Sequence, residues 1–231
     1  TQQFSNYYFI GLCAFIGCFI PYINKLLSIA LNLNHAWLLE IAQRWMDGGK
    51  YGTDFFEPNP PLSILIYVPQ LLAHKFLNIP YEYTPVLAAL VMGLVCVSIT
   101  AFILKRCNFI NHANLKYAIL SSYALAIIAA PMEWFFGERD HYIFIALVPI
   151  LSAQIAITSG TQFNKYWAIP LFCCGGFLLL LKPHYGLLPL ILLVHRCCKK
   201  RNFKTIFTDA DFIGLGLSFF LYIGIIIAIF P

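Results

Sequence analysis

Three groups of charged and polar side chains stand out from a chain in which 60% of the residues are hydrophobic. The first lies in the stretch Asn34 to Pro69, NHAWLLEIAQRWMDGGKYGTDFFEPNPPLSILIYVP, where Glu40, Asp47, Asp54 and Glu57 occur among tryptophans, glycines, Tyr51 and a Pro58-Asn59-Pro60-Pro61 block. The second runs from Glu133 to His141 and contains Glu138, Arg139, Asp140 and His141 side by side. The third is Lys182-Pro183-His184-Tyr185, set between two apolar runs. Carboxylates beside cations suit one kind of chemistry well. A carboxylate takes the proton from an acceptor hydroxyl while Lys or Arg neutralises a phosphate leaving group.

Each group also has a structural reading. Glu40 and Arg44 are spaced as an i,i+4 surface pair, and Asp47 before Gly48-Gly49 suits the end of a helix. Asp54 and Glu57 have no helical partner to explain them. Three consecutive charges, Glu138 to Asp140, at the start of an apolar run could form a self-neutralising interface cluster or a site. Lys182 could extend to the interface along its own stem or meet a phosphate. His141 and His184 are histidines of a kind that more often makes structural hydrogen bonds than ligand contacts.

The elements that position these groups belong to a membrane protein. Charged residues make up 11% of the chain and mean hydropathy is +0.76, far from the quarter or so that is charged in soluble domains. Several continuously apolar runs of about 16 to 22 residues match a hydrocarbon core of about 30 Å as helices, and they lack the alternation of barrel strands. The expected fold is all-α and polytopic, with about seven transmembrane helices in a single domain over residues 1–231. A long first outer loop, 32–83, carries juxtamembrane helices. In that loop Trp37, Leu38, Ile41, Ala42 and Trp45 recur at helical spacing, which predicts an amphipathic helix from His35 to Asp47, capped by Asn34 and lying along the membrane surface.

The positive-inside rule orders the crossings. Tyr8–Leu31 is a retained first helix. Leu62–Leu77, interrupted by Pro69 and Gln70, stays on the outer face. Thr84–Leu104, Asn114–Ala130, Tyr142–Thr158, Tyr166–Leu181, Leu187–Val194 and Phe212–Phe230 then alternate, which puts Lys105-Arg106 and the bases Arg196, Lys199, Lys200, Arg201 and Lys204 inside. All three polar groups fall outside. Tyr166 to Cys198 is short for two full crossings, about 50 Å of helix and turn against about 60 Å, so the Lys182 turn is expected below the outer surface. The eight cysteines show no metal or disulfide spacing and read as small buried hydrophobes. The net charge of +5 reflects orientation, not nucleic-acid binding. The chain starts at Thr1 and stops at Pro231 directly after an apolar run, the pattern of one part of a longer protein.

At the residues quoted above the sequence resembles the GT-C superfamily of membrane glycosyltransferases, which includes protein O-mannosyltransferases and the aminoarabinose transferases of lipid A. AWLLEIAQRWMDGGKYGTDFFEPNPPL is similar to the family's first outer loop, with its amphipathic helix, Gly, Tyr, acidic-aromatic turn and Pro-Pro-Leu. GERDHYIFIALVP resembles the second outer loop, and LLLLKPHYGLLPLILL the lysine-containing break between two short helices. The resemblance runs in order along nearly the whole chain and corresponds to the N-terminal portion of such enzymes.

It implies transfer of a sugar from a polyprenyl-phosphate donor to a glycan, lipid or protein acceptor of the cell envelope, on the non-cytosolic face of a bacterial-type inner membrane. No cofactor is required, and no ligand pattern supports a divalent cation. Under this resemblance Asp54, Glu57, Glu40 and Asp140 are the candidates for acid/base work. Lys182, Arg139, Glu138, His141, His184 and Tyr51 are the candidates for binding substrate. One departure matters: members carry an acid just before the amphipathic helix, where this chain has Asn34-His35. Either Glu40, Asp54 or Glu57 takes the role, or the correspondence slips, or the protein is inactive. The rival readings are a lipid-linked-sugar flippase or small-solute transporter, and a non-catalytic GT-C-like subunit.

Overall fold

A computed structural model describes residues 33–107, 110, 112–129, 135–200 and 206–229. The expected first helix, Tyr8–Leu31, and Glu133 lie outside the described residues.

The first polar stretch folds as a layer of three helices. Helix α1, Leu33–Met46, buries Leu38, Leu39, Ile41 and Ala42, the i, i+3, i+4 stripe that an amphipathic helix turns toward its support. That support is α2, Leu62–Leu65, and α3, Val68–Leu77, which contribute Ile64, Tyr67 and Leu71 to the same small core. The helix begins before Asn34, so Asn34 stands in its first turn and not at the cap. It ends as expected: Gly48 takes φ +92° and the Gly49 N–H returns to the Arg44 carbonyl at 2.9 Å, the left-handed exit that glycine makes without strain. Pro69 near the start of α3 lacks only an N–H that would have no intrahelical partner. A left-handed Asn78 closes α3.

The larger core belongs to α4, Thr84–Arg106, α5, Ala113–Ala129, α6, Arg139–Thr158, and α7, Lys165–Leu179. Helices α8, Leu187–Lys200, and α9, Ala210–Ile229, complete the described bundle. Small residues set the close approaches. A Cβ on Gly93 would meet Ile127 of α5 at 3.0 Å, and one on Gly175 would meet Ile150 of α6 at 2.5 Å. Helices α7 and α9 run in the same direction: Gly214 lies against Phe172 and the Ile169 carbonyl, and Gly176 against Ser218 and Leu215.

Three stretches are long and apolar enough to cross a membrane: Tyr81–Arg106, Arg139–Thr158 and Ala210–Ala228. These are the three stretches among the described residues that meet that length. Helices α5 and α7 are apolar but have 17 and 15 residues. Helix α7 stops because Lys182 is extended, at φ −141° and ψ 94°, before Pro183, which disfavours helix in the residue ahead of it. Helix α8 has 14 residues, and its buried stripe is Pro189, Leu193 and Arg196, at i, i+4 and i+7.

That stripe carries Arg196, expected among the bases of the inner side, into the interior of the bundle. Its side chain is 1% exposed and its guanidinium lies 2.7 Å from Asp211, itself fully buried, and 3.3 Å from Asp209. Gln154 of α6 donates to the Pro189 carbonyl and to Asp211, at 3.1 and 3.3 Å. The far end of the bundle is therefore tied by buried charges from α8 and α9. The cysteines divide: Cys96 and Cys107 are buried as expected, whereas Cys174 and Cys198 are exposed.

Candidate functional site

The segment that starts α6 gathers the polar groups. Gly137 precedes it at φ +81°, and a Cβ there would stand 2.8 Å from the Pro85 carbonyl at the start of α4. Only glycine meets both demands. The turn aims four consecutive side chains in different directions, and each finds a different role.

His141 is structural. Its Nδ1 accepts from the Gly137 N–H at 3.0 Å and its Nε2 lies 2.8 Å from the Ile127 carbonyl. With both ring nitrogens engaged, the partners assign the Nε2–H tautomer. The ring fastens α5 to α6. Glu138 is buried at the helix N-cap position.

Arg139 faces the first loop. Its guanidinium lies 3.7 Å from Glu57 and 3.4 Å from the Ser63 hydroxyl. Glu57 is 2% exposed and heavily bonded. Trp37 Nε1 and the Asn59 N–H each donate to it at 3.1 Å, and the Asn59 side chain donates as well. Tyr51 donates to the Glu57 carbonyl, and its ring rests against Phe55 and Phe56. The acidic-aromatic turn is thus folded around Glu57, whose carboxylate is a fixed counter-charge beneath α1.

Asp140 faces the third group. Lys182 Nζ lies 2.6 Å from its carboxylate and the Tyr185 hydroxyl donates to the other oxygen at 3.4 Å. This pair remains open: the Lys182 and Asp140 side chains are 31% and 43% exposed. His184 beside it is exposed and stacks on Tyr185 at 4.5 Å between ring centroids.

Glu57, Arg139, Asp140 and Lys182 are therefore linked through neighbouring residues of one helix start, with Tyr51, Glu138 and His141 packed around them. Glu40 and Asp54 bind within their own segments. Glu40 pairs with Arg44 at 2.9 Å, both half exposed, and the exposed Asp54 accepts the Lys50 N–H at 2.7 Å, closing a local turn. Asp47 likewise accepts from Gln43.

Several residues of the site carry no sequence signal of their own. His35 is buried, and burial lowers its imidazole pKa below the usual value, partly offset by a hydrogen bond to the Gly137 backbone and by the charge of Glu138. His35 thus docks on the turn that starts α6. Tyr67, between α2 and α3, is fully buried, and burial raises its hydroxyl pKa well above the ordinary value, while Glu57, Glu138, Arg139 and Tyr142 all act on it electrostatically. Gln70 donates to the Tyr142 hydroxyl at 3.0 Å. Only the tertiary fold brings Gln70 to Tyr142 and Tyr67 into the field of Arg139.

Two apolar cavities open below these polar groups. One of about 650 Å³ lies between α4, α6 and α7 and reaches Phe102 and Trp167. The other, about 520 Å³, lies between α3 and α4 and reaches Gln70 and Tyr142. Met92 and Leu178 line both, and Leu178 precedes Lys182 by four residues. A third, polar cavity of about 410 Å³ lies at the far end beside Lys165 and Asp209. Among the described residues no group of three or more His, Cys, Asp or Glu side chains is arranged to hold a metal ion. No protein-family model, curated protein or solved structure matches the chain.

Proposed function

We propose that this protein transfers a sugar from a polyprenyl-phosphate donor to an acceptor of the cell envelope, as a GT-C-type glycosyltransferase or its N-terminal portion. The proposed setting is a bacterial inner membrane, crossed about seven times, with the site on the periplasmic side. The observation that carries the reading is the open Asp140–Lys182 pair close above Leu178, which lines both apolar cavities. An amphiphile with an anionic head and a long hydrocarbon tail matches that arrangement: charge meets Lys182, and the tail runs past Leu178 between α4 and α7.

The roles follow from burial. Lys182 leaves Asp140 for the donor phosphate, and this frees the carboxylate. Asp140 then takes the proton from the acceptor hydroxyl as that oxygen bonds to the sugar's anomeric carbon. The bond from this carbon to the phosphate oxygen breaks, and polyprenyl phosphate departs with its negative charge facing Lys182. Glu57 is too enclosed and too fully bonded for that task. It positions Arg139, whose charge backs the phosphate end of the site.

The saturation of Glu57 also favours a second reading, a subunit that binds the lipid-linked sugar without transferring it. Membrane vesicles containing the protein, supplied with polyprenyl-phosphate-linked radiolabelled sugar, separate the two. Transfer predicts that label leaves the acid-labile phosphate-linked pool for an acid-stable acceptor, and that Asp140→Asn stops this while still binding donor. Saturable donor binding with no acid-stable product would favour the subunit. An unchanged rate in Asp140→Asn would remove Asp140 from the mechanism.

A further inference from the structure

The apolar cavity between α4 and α7 is a groove that ends at a group of bases. Its walls are residues 92–102 of α4 and 167–178 of α7, recurring at three- and four-residue intervals as one face of a helix does. That stretch of α4 makes it about 15 Å long, half of a hydrocarbon core of about 30 Å. Val95, Phe102 and Cys174 line it and are exposed, so it opens sideways on the apolar surface of the bundle. The Ser98 hydroxyl in its wall is turned back to the Leu94 carbonyl at 2.8 Å. Along its length the groove offers hydrocarbon contacts. At the Phe102 end the character changes. Phe102 and Trp167 meet edge to face, 5.1 Å between ring centroids. The exposed Arg106 guanidinium rests over the Phe102 ring, 4.2 Å from its centroid. Lys116 Nζ reaches the Cys107 carbonyl at 3.2 Å, while Lys105 and Lys165 stand at the same ends of α4 and α7. None of these bases pairs with a carboxylate among the described residues. Arg106 also closes a stretch long and apolar enough to cross a membrane, the level at which lipid headgroups sit.

We propose that this groove holds one acyl chain of an anionic phospholipid, with the headgroup phosphate on Arg106 and the chain running from Phe102 and Trp167 toward Leu178. The length fits a chain that spans a single leaflet. A guanidinium held on an aromatic ring keeps its N–H groups directed at a phosphate, which it can meet with two parallel hydrogen bonds. Charge selects the headgroup: Lys105 and Lys116 repel the ammonium of a zwitterionic lipid and attract a net negative one. The donor tail of the proposed function reaches Leu178 from the opposite end of the groove. The phospholipid site rests on the Arg106 end and stands whether or not sugar transfer occurs.

The test is photocrosslinking in phosphatidylcholine nanodiscs free of polyprenyl lipid, doped with phosphatidylglycerol that carries a diazirine in one acyl chain. Phosphatidylcholine with the same chain is the comparison, and labelled peptides are located by mass spectrometry. Phosphatidylglycerol is expected to label residues 95–102 and 170–174 about three- to tenfold more than phosphatidylcholine, the worth of one base beside an anionic headgroup. Arg106→Gln, a change at an exposed position, is expected to level the two probes. Lys75→Gln removes another exposed base that lies over a phenylalanine, Phe76, and is expected to leave the preference intact. Equal labelling by the two probes in the unaltered protein overturns the proposal, and so does a preference that survives Arg106→Gln. A preference lost as much in Lys75→Gln reduces the effect to net charge and overturns it too. Label carried by the exposed face of α9 in place of the groove does the same.

Discussion

Lys182 has a choice of partners: Asp140 in the free protein, and a lipid phosphate under the proposed function. Lys182→Met is expected to weaken polyprenyl-phosphate binding by about one to two orders of magnitude, the worth of one charge-assisted hydrogen bond. Asp140→Asn is expected to leave that affinity equal or higher, because it frees the lysine. Native mass spectrometry of lipid-bound protein reads both. Glu57 acts on stability instead. Glu57→Gln keeps most of the hydrogen-bonding capacity toward Trp37 and Asn59 but leaves Arg139 without its carboxylate, with an expected cost of about 2–3 kcal/mol in chemical unfolding. His35 supplies a pH signature. Its folded-state pKa is lowered by burial, so between that value and the usual value of about 6.5 the unfolded chain holds the extra proton. Stability therefore rises with pH across this window and falls as pH drops through it, at no more than about 1.4 kcal/mol per pH unit for one site. Unfolding midpoints at pH 7.5 and 5.5 should differ less in His35→Gln than in the unaltered protein. The charged members of the site were legible in the sequence because charge in an apolar chain needs an explanation. Tyr67, Gln70 and Trp37 were not, because an aromatic or amide at helical spacing looks the same in a core as beside a site.

Among the elements, α7 and α9 make the most extensive contact. A methyl group on Gly214 would stand 2.6 Å from the Phe172 side chain and 2.7 Å from the Ile169 carbonyl, which cannot move without the helix. Gly214→Ala is expected to cost about 1–3 kcal/mol, while Gly216→Ala, which meets nothing within 4 Å, should be neutral or slightly stabilising. Thermal unfolding in one detergent compares them. At the far end, Arg196→Met leaves Asp211 buried without its cation and is expected to cost about 3–5 kcal/mol, much of which a second change, Asp211→Leu, restores. The amphipathic α1 was legible from periodicity, and the glycine pair gave its end. The role of Arg196 was not legible, since a base following an apolar run has the pattern of an interfacial anchor. Only the position of Asp211 at the start of α9 shows that it points inward.

For the whole molecule, the expectation that three distant segments converge agrees with the contacts of Arg139 and Asp140, one facing the first loop and the other the Lys182 turn. The number of crossings was less legible, because hydropathy alone does not show where a short helix stops. Three described stretches meet the length needed to span, and α7 is shorter because the Lys182-Pro183 turn interrupts it. Under the proposed function, the Asp140–Lys182 end of the bundle holds a lipid phosphate. The most direct measurement is equilibrium binding of polyprenyl phosphate to the protein in nanodiscs, comparing the unaltered chain with Lys182→Met and with Lys165→Met at the far end. Saturable binding is expected, weakened by at least about tenfold in Lys182→Met and unchanged in Lys165→Met. Equal binding by all three proteins, or loss only with Lys165→Met, would contradict it.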